Sequence, residues 1–276
     1  MTSDTTTTPE IKVEMIDVHG TEVRVATKQG ADGRIPLLMF NGIGANLELT
    51  FPLLDALEDT PVIIFDIPGV GGSPMPKLPY NAFTICRLAR RLLTILGHDQ
   101  VDVSGVSWGG GMAQQFALQY PRVCRRLILV ATSTGWTMLP GKPSVLSKMG
   151  NLRRYTDRGY MRTIAAEIYG GDFRMNPNII AEHAANMRPG SNAGYVLQLM
   201  AMTGWTSLPF LWMLRQPTLI MAGDDDPLVP LVNAKVLHRF IKNSTLDIWH
   251  NGHLFAVTRP VETAQRFTEF LTAEAA

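Results

Sequence analysis

Gly105-Val106-Ser107-Trp108-Gly109 stands directly after the apolar run Gln100 to Val103 and directly before a helical pattern from Met112 to Gln119. A serine at such a strand-to-helix turn is held on a strained backbone, and glycines on either side leave room for close chain contacts. Gly110 and Gly111 extend that small-residue surface. The competing reading is a glycine-rich turn with an incidental serine; the strand before it and the helix after it favour a nucleophile. Ser107 is therefore the candidate attacking residue.

Working outward, short apolar runs recur at Pro36 to Phe40, Val62 to Phe65, Leu127 to Val130, Thr218 to Ala222 and Thr245 to Ile248, separated by helical stretches. Runs of this kind suit strands buried on both faces of a parallel sheet. Phe83 to Leu96 places Leu88, Leu92 and Leu96 on one helical face, and Gly97 ends the helix. Upstream, Ile11 to Val18 and Thr21 to Thr27 alternate around His19-Gly20 as a hairpin. The repeated β-α pattern predicts an α/β fold, a mostly parallel, doubly wound sheet. Gly135 to Phe210 breaks the rhythm with helix-like segments and no convincing strand, so 135–210 reads as a helical cap inserted between core segments 1–134 and 211–276. The insertion is rich in methionine and aromatics, among them Trp136, Met149, Tyr155, Tyr169, Met187, Met202 and Trp205. Most of these serve packing, but as a set they favour an apolar, adaptable lining, with Trp136, Met202 and Trp205 as candidate substrate contacts.

The chain has 276 residues, 46% of them hydrophobic, enough to bury a substantial core in one unit. Its 25 basic and 24 acidic residues leave a formal charge of +1 with no basic run, which argues against a nucleic-acid partner. The polar, threonine-rich start, Met1 to Glu10, has neither the cationic nor the apolar region of a secretory signal. No segment reaches the roughly 18 apolar residues of a membrane span; Leu208 to Leu214 is too short. Cys86 and Cys124 are expected as free buried thiols, in keeping with a reducing cytoplasm.

A serine hydroxyl is a weak nucleophile at neutral pH, so it needs a base to take its proton and a group to orient that base. Gly223-Asp224-Asp225-Asp226-Pro227 and Asn251-Gly252-His253-Leu254 each follow an apolar run, and loops at the carboxyl ends of parallel strands share one edge of the sheet. Asp226 is favoured because Pro227 would fix the turn that aims it, with Asp224 and Asp225 as alternatives. His253, in a glycine-loosened loop, is favoured over His250 at the strand end. The acidic run lacks the spaced oxygen ligands of a calcium loop, so no metal is expected. The oxyanion donors would be the backbone N–H of Trp108 and, from the turn Asn41-Gly42-Ile43-Gly44-Ala45-Asn46, that of Ile43, with Asn41 beside the substrate. Asp66 to Ser73 is glycine-rich but has neither the P-loop lysine nor dinucleotide spacing, and reads as a structural turn.

Phe40 to Phe51, Asp66 to Ser73, the Gly105 to Gly109 turn, Gly223 to Pro230 and Gly252 to Leu254 together resemble the α/β-hydrolase superfamily. Within it, Phe40 to Leu49, Gly105 to Gly110, Pro140 to Pro143, Ile168 to Gly171, Gly204 to Ser207 and Ala222 to Leu228 resemble the intracellular medium-chain-length polyhydroxyalkanoate depolymerases, over roughly residues 11 to 272. That resemblance implies a triad at Ser107, Asp226 and His253, no cofactor, and hydrolysis of hydrophobic polyester or acyl-ester substrates at cytoplasmic granules. Asn41 stands where the wider superfamily more usually has histidine, and Pro68 where it often has arginine. Two alternatives keep the fold: a general medium-chain carboxylesterase or lipase, and a 3-hydroxyacyl acyltransferase. A third, a non-catalytic granule coat, would have no use for the triad.

Overall fold

Residues 10–186 and 191–273 are described in a computed structural model of the chain; the threonine-rich start and Met187 lie outside them. The apolar runs form strands β1 (Ile11–Asp17), β2 (Glu22–Lys28), β3 (Leu37–Phe40), β4 (Val62–Phe65), β5 (Val101–Val106), β6 (Cys124–Val130), β7 (Thr218–Gly223) and β8 (Ser244–Trp249). They make one eight-stranded sheet in the order β1-β2-β4-β3-β5-β6-β7-β8. The β1–β2 hairpin joins antiparallel and every pair from β4 to β8 is parallel. The expected doubly wound α/β sheet is present.

Every residue of β3, β4 and β7 is buried, because helices cover both faces of the sheet. Side chains alternate between two cores with the period of a strand. Leu38, Phe40, Ile63 and Phe65 pack on one face against α2 (Ala82–Ile95) and α3 (Trp108–Gln119). Leu37, Met39, Val62 and Ile64 pack on the other, against Leu53 and Leu54 of α1 (Phe51–Ala56) and against Phe267 and Leu271. Cys86 and Cys124 are buried free thiols. Among the described residues, no helix is long and apolar enough to cross a membrane.

Three boundaries differ from the sequence reading, each for a reason the tertiary contacts supply. β5 runs on through Gly105 to Val106, because Gly105 still pairs with Phe40 on one side and Leu129 on the other. β6 begins at Cys124, which pairs with Val101, so this cysteine is in the strand itself. Helix α3 starts at Trp108 with no intervening loop.

Between β6 and β7 the chain passes through α4 (Pro143–Gly150), α5 (Arg153–Thr156), α6 (Arg158–Tyr169), α7 (Asp172–Met175), α8 (Pro177–Asn186) and α9 (Asn192–Ala201). Val145, Met161, Ile164, Ile168 and Phe173 give it an apolar core of its own, which Leu228 joins. A bridge between Gly135 and Thr206 ties its two ends together.

Asp66, at the carboxyl end of β4, anchors the neighbouring loops. Its carboxylate is 1% exposed and accepts the N–H groups of Leu47 (3.0 Å) and Gly72 (2.8 Å) and a guanidinium N–H of Arg24 (3.3 Å). Burial pushes its pKa up to about 6 against the pull of Gly72 and Arg24. This satisfies the expectation of a structural turn at Asp66 to Ser73. Removing the carboxylate leaves buried donors unpaired, each costing on the order of 1–3 kcal/mol. Asp66→Ala is therefore expected to lower unfolding stability by about 3 kcal/mol, read as a lower urea midpoint at unchanged slope.

Candidate active site

Ser107 lies between the last residue of β5 and the first of α3 with φ 55° and ψ −117°, a conformation that disfavours a side chain. Three hydrogen bonds over-determine it. Its N–H donates to Val130 O at 2.8 Å, and its carbonyl accepts from Gly110 N–H at 2.9 Å and Thr132 Oγ1 at 2.6 Å. The glycines are required by close approach. A Cβ on Gly105 would sit 2.1 Å from Gly109 O, and one on Gly109 would sit 2.1 Å from Phe40 O. Strand, turn and helix thus meet without side chains between them.

Asp226 and His253 come from the turns after β7 and β8, 7% and 2% exposed. His253 Nδ1 and Asp226 Oδ2 are 2.7 Å apart. Asp226 Oδ1 accepts the N–H groups of Leu228 (2.9 Å) and Val229 (2.8 Å), so the carboxylate is locked by its own turn. The other two acids face elsewhere. Asp224 pairs with exposed His250 at 2.5 Å, and Asp225 with Arg174 at 2.6 Å. His253 and Ser107 line one narrow cavity of about 90 Å³.

That cavity is walled by Ile43, Leu49, Leu53, Met149, Met161, Leu228 and Leu254, among others. A wider one of about 530 Å³ opens beside it and also reaches Ser107 and Ile43, with Trp108, Trp136, Leu146, Leu199 and Met202 in its wall. Ser107, Ile43, Met149 and Leu228 belong to both. Asn41 lines the narrow cavity while its amide holds the turn, donating to Asn46 O (3.2 Å) and accepting from Thr50 Oγ1 (2.9 Å). Trp136 is 69% exposed at the wide cavity's mouth. Trp205 departs from the sequence reading. It packs in the main core behind Gly111 and Gly135, its indole donates to Gln115 Oε1 at 2.9 Å, and neither cavity wall contains it.

Sequence reasoning missed the residues that tie the helical segment to this site. Tyr169, at the end of α6, accepts His253 N–H through its carbonyl at 2.6 Å and stacks its ring on the imidazole, centroids 6.4 Å apart. Asn251 Oδ1 accepts Asp172 N–H at 3.0 Å, and Gln198 Oε1 accepts Gly44 N–H at 2.7 Å. These partners are 79 and 154 residues apart in sequence, with no local pattern to join them.

Two further residues of the narrow cavity are polar. Arg154 and His183 are 3% and 6% exposed, and His183 Nδ1 has no hydrogen-bond partner among the described residues. Edge-on contacts with Tyr169 (5.5 Å) and Phe173 (5.3 Å) enclose the His183 ring. Burial, helped by the charge of Arg154, pushes its pKa down from 6.5 to about 4. The unfolded chain therefore takes up a proton that the folded chain refuses. Stability is complete above pH 6.5 and falls as pH drops toward 4, by about 3 kcal/mol from this group. His183→Phe is expected to lose that component of the slope, seen as a shallower fall of the melting temperature between pH 6.5 and 4; an unchanged difference across that window would exclude His183 as its source.

The alpha/beta hydrolase fold family matches residues 35–260 of this chain. The chain is 47% identical over 260 residues, 94% of its own length and 92% of the relative's, to a poly(3-hydroxyalkanoate) depolymerase of Ectopseudomonas oleovorans. It is 24% identical to 3-oxoadipate enol-lactonase 2 of Acinetobacter baylyi, covering 84% of this chain and 86% of that one. Among solved structures, the enol-lactonase of Burkholderia xenovorans superposes with a TM-score of 0.81 at 20% identity, over 94% of this chain and all of the other.

Proposed function

We propose, from the premise that this chain belongs to the α/β-hydrolase fold family, that it cleaves the carboxylic esters of medium-chain-length poly(3-hydroxyalkanoate) or its oligomers. The near relative's name supports this substrate class. The observation that carries the chemistry is the buried Asp226–His253 pair, whose histidine lines the same cavity as Ser107.

In this reading, Ser107 Oγ attacks the ester carbonyl while His253 Nε2 takes the hydroxyl proton. Asp226 holds Nδ1–H and stabilises the imidazolium that forms. The N–H groups of Ile43 and Trp108 receive the oxyanion. Collapse expels the alcohol end of the polymer, which takes the proton from His253, and leaves an acyl-enzyme on Ser107. Water, deprotonated by His253, then releases the hydroxy acid and restores the serine. No cofactor is needed for any of these steps.

Residues 135–210 act as the cap. The two cavities meeting at Ser107 suit a substrate with two apolar branches, one in the narrow cavity and the rest of the polymer leaving through the wide one. Trp136, Leu146 and Leu199, exposed by 69, 39 and 45%, rim the wide cavity and offer an apolar contact to a granule surface in the cytoplasm.

Ser107→Ala, Asp226→Asn and His253→Ala should each cut the release of hydroxy acids from emulsified polymer by about a thousandfold or more with the fold intact, and their losses should not add. Near-full activity in Asp226→Asn, with loss in Asp225→Asn, would give the acid's role to Asp225. Chain length provides a second check. Each buried methylene contributes about 0.8 kcal/mol, so octanoate should gain on butyrate by at most about 3 kcal/mol, roughly a hundredfold. A kcat/KM ratio of about tenfold is expected for p-nitrophenyl esters, reduced in Met149→Ala. Equal rates on both esters would rule out the apolar acyl pocket.

A further inference from the structure

Two backbone N–H groups far apart in sequence must converge on one oxyanion, yet Ile43 sits in a glycine-rich turn and Trp108 at a helix start. We propose that Gln198 is the positioning residue that locks these two segments together, an inference that rests on the serine chemistry proposed above.

Gln198 lies in α9, outside the sheet, and is 1% exposed. Its side-chain Oε1 accepts the N–H of Gly44, the residue directly after Ile43, at 2.7 Å. Its backbone carbonyl accepts the indole N–H of Trp108, the residue directly after Ser107, at 3.0 Å. One residue therefore grips both halves of the oxyanion site. The carbonyl can do so because it falls in the last turn of α9, where Met202 N–H turns to Leu199 O instead. Carbonyls at a helix end need partners from outside the helix. The side chain suits its task because an amide oxygen accepts a buried N–H without bringing a charge into an apolar site.

The turn depends on this grip. Gly44 has φ 70°, a conformation with little of its own to hold it among alternatives. Asn41 secures the start of the turn through Asn46 O and Thr50, and Gln198 secures its outer side. Gly42 lies beside the nucleophile, where an added Cβ would come into ordinary van der Waals contact at 3.9 Å from Ser107 Cβ. An oxyanion donor works only within a few tenths of an ångström of its best distance, so a small displacement of this turn weakens the transition state and leaves substrate binding intact. Gln198 lines neither cavity, which separates it from residues that merely contact substrate.

The test compares wild type, Gln198→Leu and Gln198→Glu, using p-nitrophenyl octanoate turnover, inhibition by octanoate, inhibition by an alkyl boronic acid, and the rate of Ser107 labelling by an alkyl fluorophosphonate. Gln198→Leu should lower kcat by about tenfold to a hundredfold while KM stays within about twofold. Boronate affinity and labelling rate should fall in parallel with kcat, and octanoate affinity and melting temperature should hold. Gln198→Glu keeps an acceptor oxygen but buries a carboxyl, and should recover part of the rate, boronate affinity and labelling that Gln198→Leu loses. Unchanged labelling and boronate affinity in Gln198→Leu overturn the inference, as does a loss that appears in KM, octanoate affinity and melting temperature together. Wild-type labelling without polymer hydrolysis sinks the substrate proposal alone, because labelling reads the oxyanion site without it.

Discussion

The backbone of Ser107 is held at a φ and ψ that cost on the order of 1–3 kcal/mol for a residue with a side chain, and the rest of the site is arranged around that constraint. Val130, Gly110 and Thr132 hold it through hydrogen bonds from three directions. Because α3 begins at the next residue, the helix start, the end of β3 and the end of β5 crowd to distances where a methyl group would overlap backbone oxygen. The strain exposes the serine at the carboxyl edge of the sheet, where the turns after β7 and β8 deliver Asp226 and His253.

What the sheet edge brings together, the helical segment holds in place. Tyr169 fixes the main chain and ring plane of His253, Asp172 and Asn251 join the loops beneath it, and Gln198 reaches the opposite wall of the site. The segment is thus built into the site's geometry. Its own small core, centred on Met161, Ile168 and Phe173, gives these contacts a rigid base.

Polarity around Ser107 is sharply divided. The walls of both cavities are mostly apolar, aliphatic and thioether in the narrow one and joined by Trp108, Trp136 and Tyr195 in the wide one, which suits flexible alkyl groups and keeps water from an acyl-enzyme. Into the narrow cavity the fold also brings Arg154 and a His183 that burial keeps neutral. Elsewhere, charge is kept at the margins, where Asp224 and Asp225 are paired with His250 and Arg174 at exposed positions.

The parallel sheet, the serine turn and the loops that carry Asp226 and His253 were legible in the sequence because each depends on neighbours in the chain. Apolar runs of strand length mark buried strands, glycines mark close backbone approach at Gly105 and Gly109, and Pro227 marks the turn that carries Asp226. Even there, the ends of β5 and β6 shifted, since pairing with β3 and with one another decides where a strand stops. Only the tertiary structure separated Asp226 from Asp224 and Asp225 by their partners, moved Trp205 from a substrate contact to the core, and joined Gln198 to Gly44 and Trp108. Those outcomes depend on side chains meeting across 26 to 154 residues of chain, and no local periodicity records which distant groups will meet when the helices pack.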